Sequence, residues 1–279
     1  GNTPLHVSNS STFTKILMAQ PEVNTSIVNK KKQTPLHTAT NPLVVAALLE
    51  HIYQDKPIDN TAGIDAKDAD GKTALATIIE RESNPFNFHA RVHQVGKSGT
   101  SGWDLSVDTI KLEISKMLLD RGANIDVLDA NSNTLLHLSA RDGYTTLSQF
   151  LIQHLNPHQL NKDKESPMHM AARSGFDEII KSLFAANVLV NQQDKDGKTP
   201  LHLAVAHKNL EAVKTLIAEG SDPFIKDNAG INAKDLADEL EDAKLIKALT
   251  EVRESILKLH SKKDSKESPS KQETKAVAK

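Results

Sequence analysis

The chain has 279 residues, of which 38% are apolar, 25% charged and 4% aromatic, enough for one or two compact domains or one elongated array. Its 34 basic and 36 acidic residues leave a net charge of −2, so no overall field attracts a polyanion and nucleic-acid binding is not expected. The lack of cysteine excludes a disulfide framework, a CxxC zinc site and a thiol nucleophile, and the longest apolar run, Leu43 to Leu49, falls far short of the roughly 20 residues that span a bilayer.

In chain order, the first element opens at Thr3-Pro4-Leu5-His6, and the same pattern recurs as Thr34-Pro35-Leu36-His37, Thr73-Ala74-Leu75-Ala76, Thr134-Leu135-Leu136-His137, Ser166-Pro167-Met168-His169 and Thr199-Pro200-Leu201-His202. A worn copy stands at Asn232-Ala233-Lys234-Asp235. The spacings are 31, 39, 61, 32, 33 and 33 residues, a 33-residue period broken where the second and third units have gained residues. Thr or Ser caps a helix through its side-chain oxygen, and Pro fits the first helical position because the N–H it lacks has no partner there. Each copy therefore predicts a helix start. In the sixth unit an apolar stripe runs through Leu201, Leu203, Ala204 and Val205. After a break near Lys208-Asn209, a second runs through Leu210, Val213, Leu216 and Ile217 at helical spacing. Gly220, like Gly122 in the third unit, sits where the second helix must end. Clusters such as Asp68-Ala69-Asp70-Gly71 and Asp194-Lys195-Asp196-Gly197 supply turns before the next Thr.

The third unit carries an insertion at residues 83–108 that holds Trp103, the sole Trp, with Phe86 and Phe88. Three roles stand open for it: partner contact, aromatics folded back on the array, or a linker. Gly96-Lys97-Ser98 resembles the end of a phosphate-binding loop, but Arg91 stands where that loop needs its first Gly, so nucleotide binding is not expected. The seventh unit is more polar, as a cap requires. A last helix is expected from Asp242 to Leu259, with Leu245, Leu249, Val252, Ile256 and Leu259 in a short a/d seam that packs on the cap or pairs with another chain. Residues 260–279, rich in Lys, Ser and Glu, are expected to be disordered. They read as a solubilising tail, a nuclear-import or trafficking signal, a phosphorylation site at Ser268-Pro269, or the tail of an exported bacterial protein.

The period and the Thr-Pro-Leu-His-x-Ala signature resemble the ankyrin repeat family, most fully in the run from Asp196 to Asp222. The resemblance implies an all-α ankyrin-repeat solenoid of about seven units over residues 1–259. Paired antiparallel helices would carry turn tips, the insertion 83–108 would lie within the third unit, and a capping unit would occupy about 231–259. The first unit has no cap ahead of it, so the native protein is expected to extend N-terminal of residue 1. It also implies that His6, His37, His137, His169 and His202 bond backbone near the turns of neighbouring units. Rings spaced by a helix pair lie ~10 Å apart, too far to share a metal. His89 with His93, and His154 with His158, have chelating intervals but no convincing third ligand. No metal, cofactor or catalytic set is expected.

A partner would meet the turn tips and outer first-helix positions, which stacking leaves free. Those positions give Lys31, Gln33, Asp70, Lys72, Glu80, Arg81, Asn131, Asn133, Arg141, Asp142, Lys164, Glu165, Arg173, Ser174, Lys195, Asp196, Lys198 and His207, with Trp103 from the insertion. The mixed signs suit a protein surface rather than a phosphate backbone. The expected function is a non-catalytic, monomeric scaffold that binds a protein partner. It would act inside the cell, in the cytoplasm, with the host cytoplasm or the nucleus as alternatives. The rival reading is the recruiting arm of a larger enzyme or secreted bacterial effector whose active domain lies N-terminal to this chain.

Overall fold

The computed structural model describes residues 1–20, 22–53, 61–81 and 106–250. The insertion's Trp103, Phe86, Phe88, His89, His93 and Gly96-Lys97-Ser98 lie outside the described residues, as do Val252, Ile256, Leu259 and the tail. A 3₁₀ turn at Pro4–Val7 precedes α1 (Ser11–Met18), α2 (Pro35–Thr38), α3 (Pro42–Tyr53) and the short α4 (Thr61–Ile64). Next come α5 (Ala74–Glu80), α6 (Val107–Asp120), α7 (Leu135–Asp142), α8 (Thr145–His154), α9 (Pro167–Ser174), α10 (Asp177–Ala185), α11 (Pro200–Ala206), α12 (Leu210–Ala218) and α13 (Ala233–Glu239). A further helix occupies 243–250. No strand is present among the described residues; Lys226 and Asn232 form one isolated bridge.

The helices that follow the motif stack in series as an inner row: the 3₁₀ turn on α2, then α5, α7, α9, α11 and α13. Their partners stack behind them as an outer row, α1 on α3, then α6, α8, α10 and α12. One unit cannot cover its own apolar face, so the core is continuous from Leu5 to Leu249. The array is all-α, as the periodicity implies. Leu245 and Leu249 are buried in it, so the described start of the last helix packs on the cap. At the other end Val7, Phe13 and Ile16 are exposed.

Each inner helix begins where the motif predicts. Thr3, Thr34, Thr73, Thr134, Ser166, Thr199 and Asn232 are the N-caps. The inner helices of the first two units are only four residues long. In the second unit Pro42 forces Asn41 out of helical backbone, and the Asn41 side chain caps the next helix by accepting from Leu43 N–H at 2.9 Å. In the third unit α6 opens at Val107 with Ser106 as cap. The last two residues of the range 83–108 therefore belong to a helix rather than to the insertion.

Candidate protein-interaction face

The tips are set by a side chain five residues before each motif Thr. Asn29, Asp68, Asp129, Asn161, Asp194 and Asp227 each accept, through Oδ1, the N–H groups two and four residues ahead, at 2.7–3.0 Å. Such Asx turns fold the backbone locally without help from a neighbour. The sequence carried this signal as an Asp or Asn at a fixed offset, visible once the units are aligned on their Thr.

The motif histidines join one unit to the next. In each, Nδ1 accepts from the backbone N–H of its own cap residue at 3.1–3.2 Å. That leaves the proton on Nε2, which donates to the carbonyl just before the next cap. His6 reaches Gln33 O at 2.7 Å, His37 Lys72 O at 3.1 Å and His137 Glu165 O at 3.1 Å, while His169 reaches Lys198 O and His202 Ile231 O at 3.2 Å. A protonated ring could not accept at Nδ1. Burial holds the pKa of His37, His137 and His202 below the usual value and takes His169 down to about 4. These rings are structural, as the resemblance implies.

The outer positions divide into three sets. Lys31, Asp70, Arg81, Asn131, Arg141, Lys164, Ser174, Lys195, Asp196 and His207 are exposed. Gln33, Lys72, Glu80, Asp142, Arg173 and Lys198 are half-buried, and several are already engaged. Lys72 pairs with Glu80, Arg141 grips Asp142 through Nε and Nη2 at 2.7 and 3.0 Å, and Lys195 meets Asp163 at 2.7 Å. The hydrogen bond to Glu80 raises the Lys72 pKa, and that to Asp142 raises the Arg141 pKa.

Asn133 and Glu165 form the third set and correct the sequence reading, because both are 5% exposed and are not surface positions. Asn161 Nδ2 donates to Asn133 Oδ1 at 2.8 Å and to Glu165 Oε2 at 3.1 Å, and Arg173 covers the other Glu165 oxygen. The residue before the cap points sideways along the row of tips, not outward.

One buried cation had no sequence signal. Lys111, 5% exposed on α6, donates to Ile79 O at 2.6 Å and Arg81 O at 2.8 Å and lies over the Tyr144 ring. It closes the end of α5, where the fourth and fifth units use the left-handed Gly143 and Gly175, and burial lowers its pKa to about 8. His154 and His158 are both exposed, and His154 Nδ1 bonds Phe150 O at 2.8 Å. Among the described residues no group of three metal-binding side chains converges, and no helix is long and apolar enough to cross a membrane.

Two-helix units in series, with an unused row of tips, define a helical-repeat solenoid. Its repeats are ankyrin repeats: a family model for three copies matches residues 107–194 and 147–227. The nuclear factor NF-kappa-B p105 subunit of Gallus gallus is 36% identical over 93 residues, 32% of this chain and 10% of that protein. The chain thus spans about a tenth of that relative's length. Ankyrin repeats are generally protein–protein interaction modules.

Proposed function

We propose that this array is a non-catalytic scaffold that holds a protein partner on its row of tips and outer first-helix positions. One observation carries the reading. Stacking consumes the apolar sides of both helix rows, while Lys31, Asp70, Arg81, Asn131, Arg141, Lys164, Ser174, Lys195, Asp196 and His207 stay exposed on a strip of tips and inner-helix ends. That strip carries both signs, five basic and two acidic side chains, which suits a folded protein surface with matched charges. Cytoplasmic action inside a cell belongs to the same reading.

The test is capture by the full chain from cell lysate, quantified by mass spectrometry, beside a variant with Lys31→Glu and Lys164→Glu. These side chains are exposed, so helical circular dichroism is expected unchanged while specific partners are lost. An unaltered partner list would overturn the reading. Arg173 is a poor choice for reversal, because a carboxylate there would face the buried Glu165.

A second reading, the recruiting arm of a larger enzyme or effector, is favoured by the p105 comparison, where the matched repeats are a small part of a long protein. A full-length sequence with a catalytic region outside the 33-residue period would support it.

A further inference from the structure

The inner row is joined by a motif histidine at every junction except that between the third and fourth units. There the fourth motif position is Ala76. A second link fails at the same place. Elsewhere one tip donates a backbone N–H to the tip before it: Ala69 to Lys31 O, Lys162 to Asn131 O, Lys195 to Asp163 O and Asn228 to Asp196 O, at 2.8–3.0 Å. No such bond joins the tip at Ala130 to that at Asp70 among the described residues. The gap is real space. A Cβ on Gly197 would stand 2.6 Å from Asn228 Oδ1, whereas one on the equivalent Gly71 would meet nothing within 4 Å.

The space is a cavity of about 270 Å³ lined by buried Thr73, Ala76, Leu135 and Leu138 with Val127, and by the polar side chains of Asp65, Lys67, Lys72, Asn124, Asp126 and Asp129. A water occupies roughly 30 Å³, so a ligand of several atoms fits. Two polar groups that hold a ring at the other junctions are left without one here. The Thr73 N–H, in a residue 2% exposed, has no hydrogen-bond partner among the described residues. The Asn133 carbonyl accepts one bond, from Asp129 N–H at 3.1 Å, where its counterparts also accept from a His Nε2. At the other junctions the equivalent donor and acceptor hold one ring between them, and leaving such groups unpaired is costly.

We propose that this cavity binds an uncharged imidazole ring, delivered either as a free imidazole-type molecule or as a histidine side chain of a partner protein. The unprotonated ring nitrogen accepts from Thr73 N–H, and the ring N–H donates to Asn133 O. Leu135 and Leu138 pack on the ring faces. The site lies between units and does not rest on the role of the outer strip.

The experiment titrates imidazole into the ¹⁵N-labelled full chain at pH 8, where such rings are neutral, and follows the amides of Thr73, Ala76 and Asn133. Saturable shifts at those amides are expected. Binding of 1-methylimidazole, which has no ring N–H to donate, is expected to be roughly fivefold weaker, the loss of one hydrogen bond. Ala76→His supplies the ring from within and should abolish saturation while raising the thermal midpoint. Ala76→Leu, which fills the space with apolar atoms, should also abolish it. The peptide Gly-His-Gly distinguishes the sources: saturation by the peptide assigns a partner's histidine, and saturation by imidazole alone assigns a small molecule. Linear, non-saturating shifts in the unmodified chain would overturn the proposal. So would equal binding of 1-methylimidazole, or saturation that survives in both filled variants.

Discussion

The fourth to sixth units and the first two units start from the same motif and end differently. Inner helices α7, α9 and α11 run seven or eight residues, while the 3₁₀ turn and α2 run four. In the regular half, Gly143 and Gly175 adopt φ of 79° and 88° and let the chain reverse after two full turns. Asn209 then donates to Ala172 O and Arg173 O at the end of α9. In the early half, Ser8-Asn9-Ser10 and Asn41-Pro42 end the helix sooner. Yet the His bonds at the start of the inner helices are the same in both halves, and so are the Asx bonds at Asn29, Asn161 and Asp194. The junction is encoded in the motif and its preceding tip, and helix length beyond that is variable. The family match, which falls on 107–227, follows helix regularity rather than junction chemistry.

The largest expected effect breaks a junction in the regular half. His169→Ala leaves the Ser166 N–H unpaired in a residue 1% exposed and opens a cavity at a fully buried position. The loss is expected to be about 4 kcal/mol in urea unfolding of the full chain. His6→Ala removes the same contacts in the first unit, where Thr3 is half-exposed and water can replace the ring. About 1 kcal/mol is expected there. Equal losses would mean that the two halves do not differ in how deeply the junction is buried.

Acid tests the same rings together. Unfolded histidines take protons near pH 6.5, whereas folded His169 does so at about 4, and His37, His137 and His202 also lie below 6.5. Between those values the unfolded chain binds more protons, so stability is full above pH 6.5 and falls as pH drops toward 4. His169 alone accounts for ~3 kcal/mol of that loss. The urea midpoint should therefore drop between pH 7.5 and 4.5, and His169→Gln should flatten the drop. An unchanged slope in that variant would show that the ring is protonated in the folded chain.

A smaller contrast compares a closed junction with the open one. Gly197→Ala puts a methyl 2.6 Å from Asn228 Oδ1 and 2.8 Å from its backbone nitrogen, at the tip-to-tip bond. Left-handed backbone and this clash together should cost about 3 kcal/mol. Gly71→Ala carries the backbone penalty alone, about 1 kcal/mol, because its neighbouring tip stands away. Thermal unfolding of the two variants reads the difference directly.

Much of this was legible beforehand. The Thr and Ser caps, the helix starts and the structural role of the five histidines followed from the motif or from the resemblance it carries. The burial of Asn133 and Glu165 did not, because an amide beside one cap and a carboxylate beside the next look like surface groups until stacking brings Asn161 between them. Lys111 was hidden for a related reason. A cation on an amphipathic helix reads as solvated, and its burial comes from the truncated end of α5, which lies 32 residues away from it at Ile79. The open junction was visible as the missing His in Thr73-Ala74-Leu75-Ala76, but its volume and its unpaired Thr73 N–H depend on the spacing of two tips.

The smallest effect concerns the tips themselves. The residue two before the cap is left-handed in every described tip: Gly71, Gly197 and Gly230 in three, but Lys32, Ser132 and Lys164 in the others, with φ of 56°, 61° and 57°. A side chain in that conformation costs roughly 1–2 kcal/mol, partly offset because Gly loses more freedom on folding, about 0.5–1 kcal/mol. Lys164→Gly is thus expected to raise stability by up to about 1 kcal/mol, read as a higher urea midpoint. Lys164 is exposed and has no ion-pair partner among the described residues, so no lost contact offsets the gain. If the strained side chain persists because it meets a partner, the same variant will be more stable and will capture less partner from lysate. A variant that is more stable and captures as much would remove Lys164 from the strip and leave its left-handed lysine without a binding role.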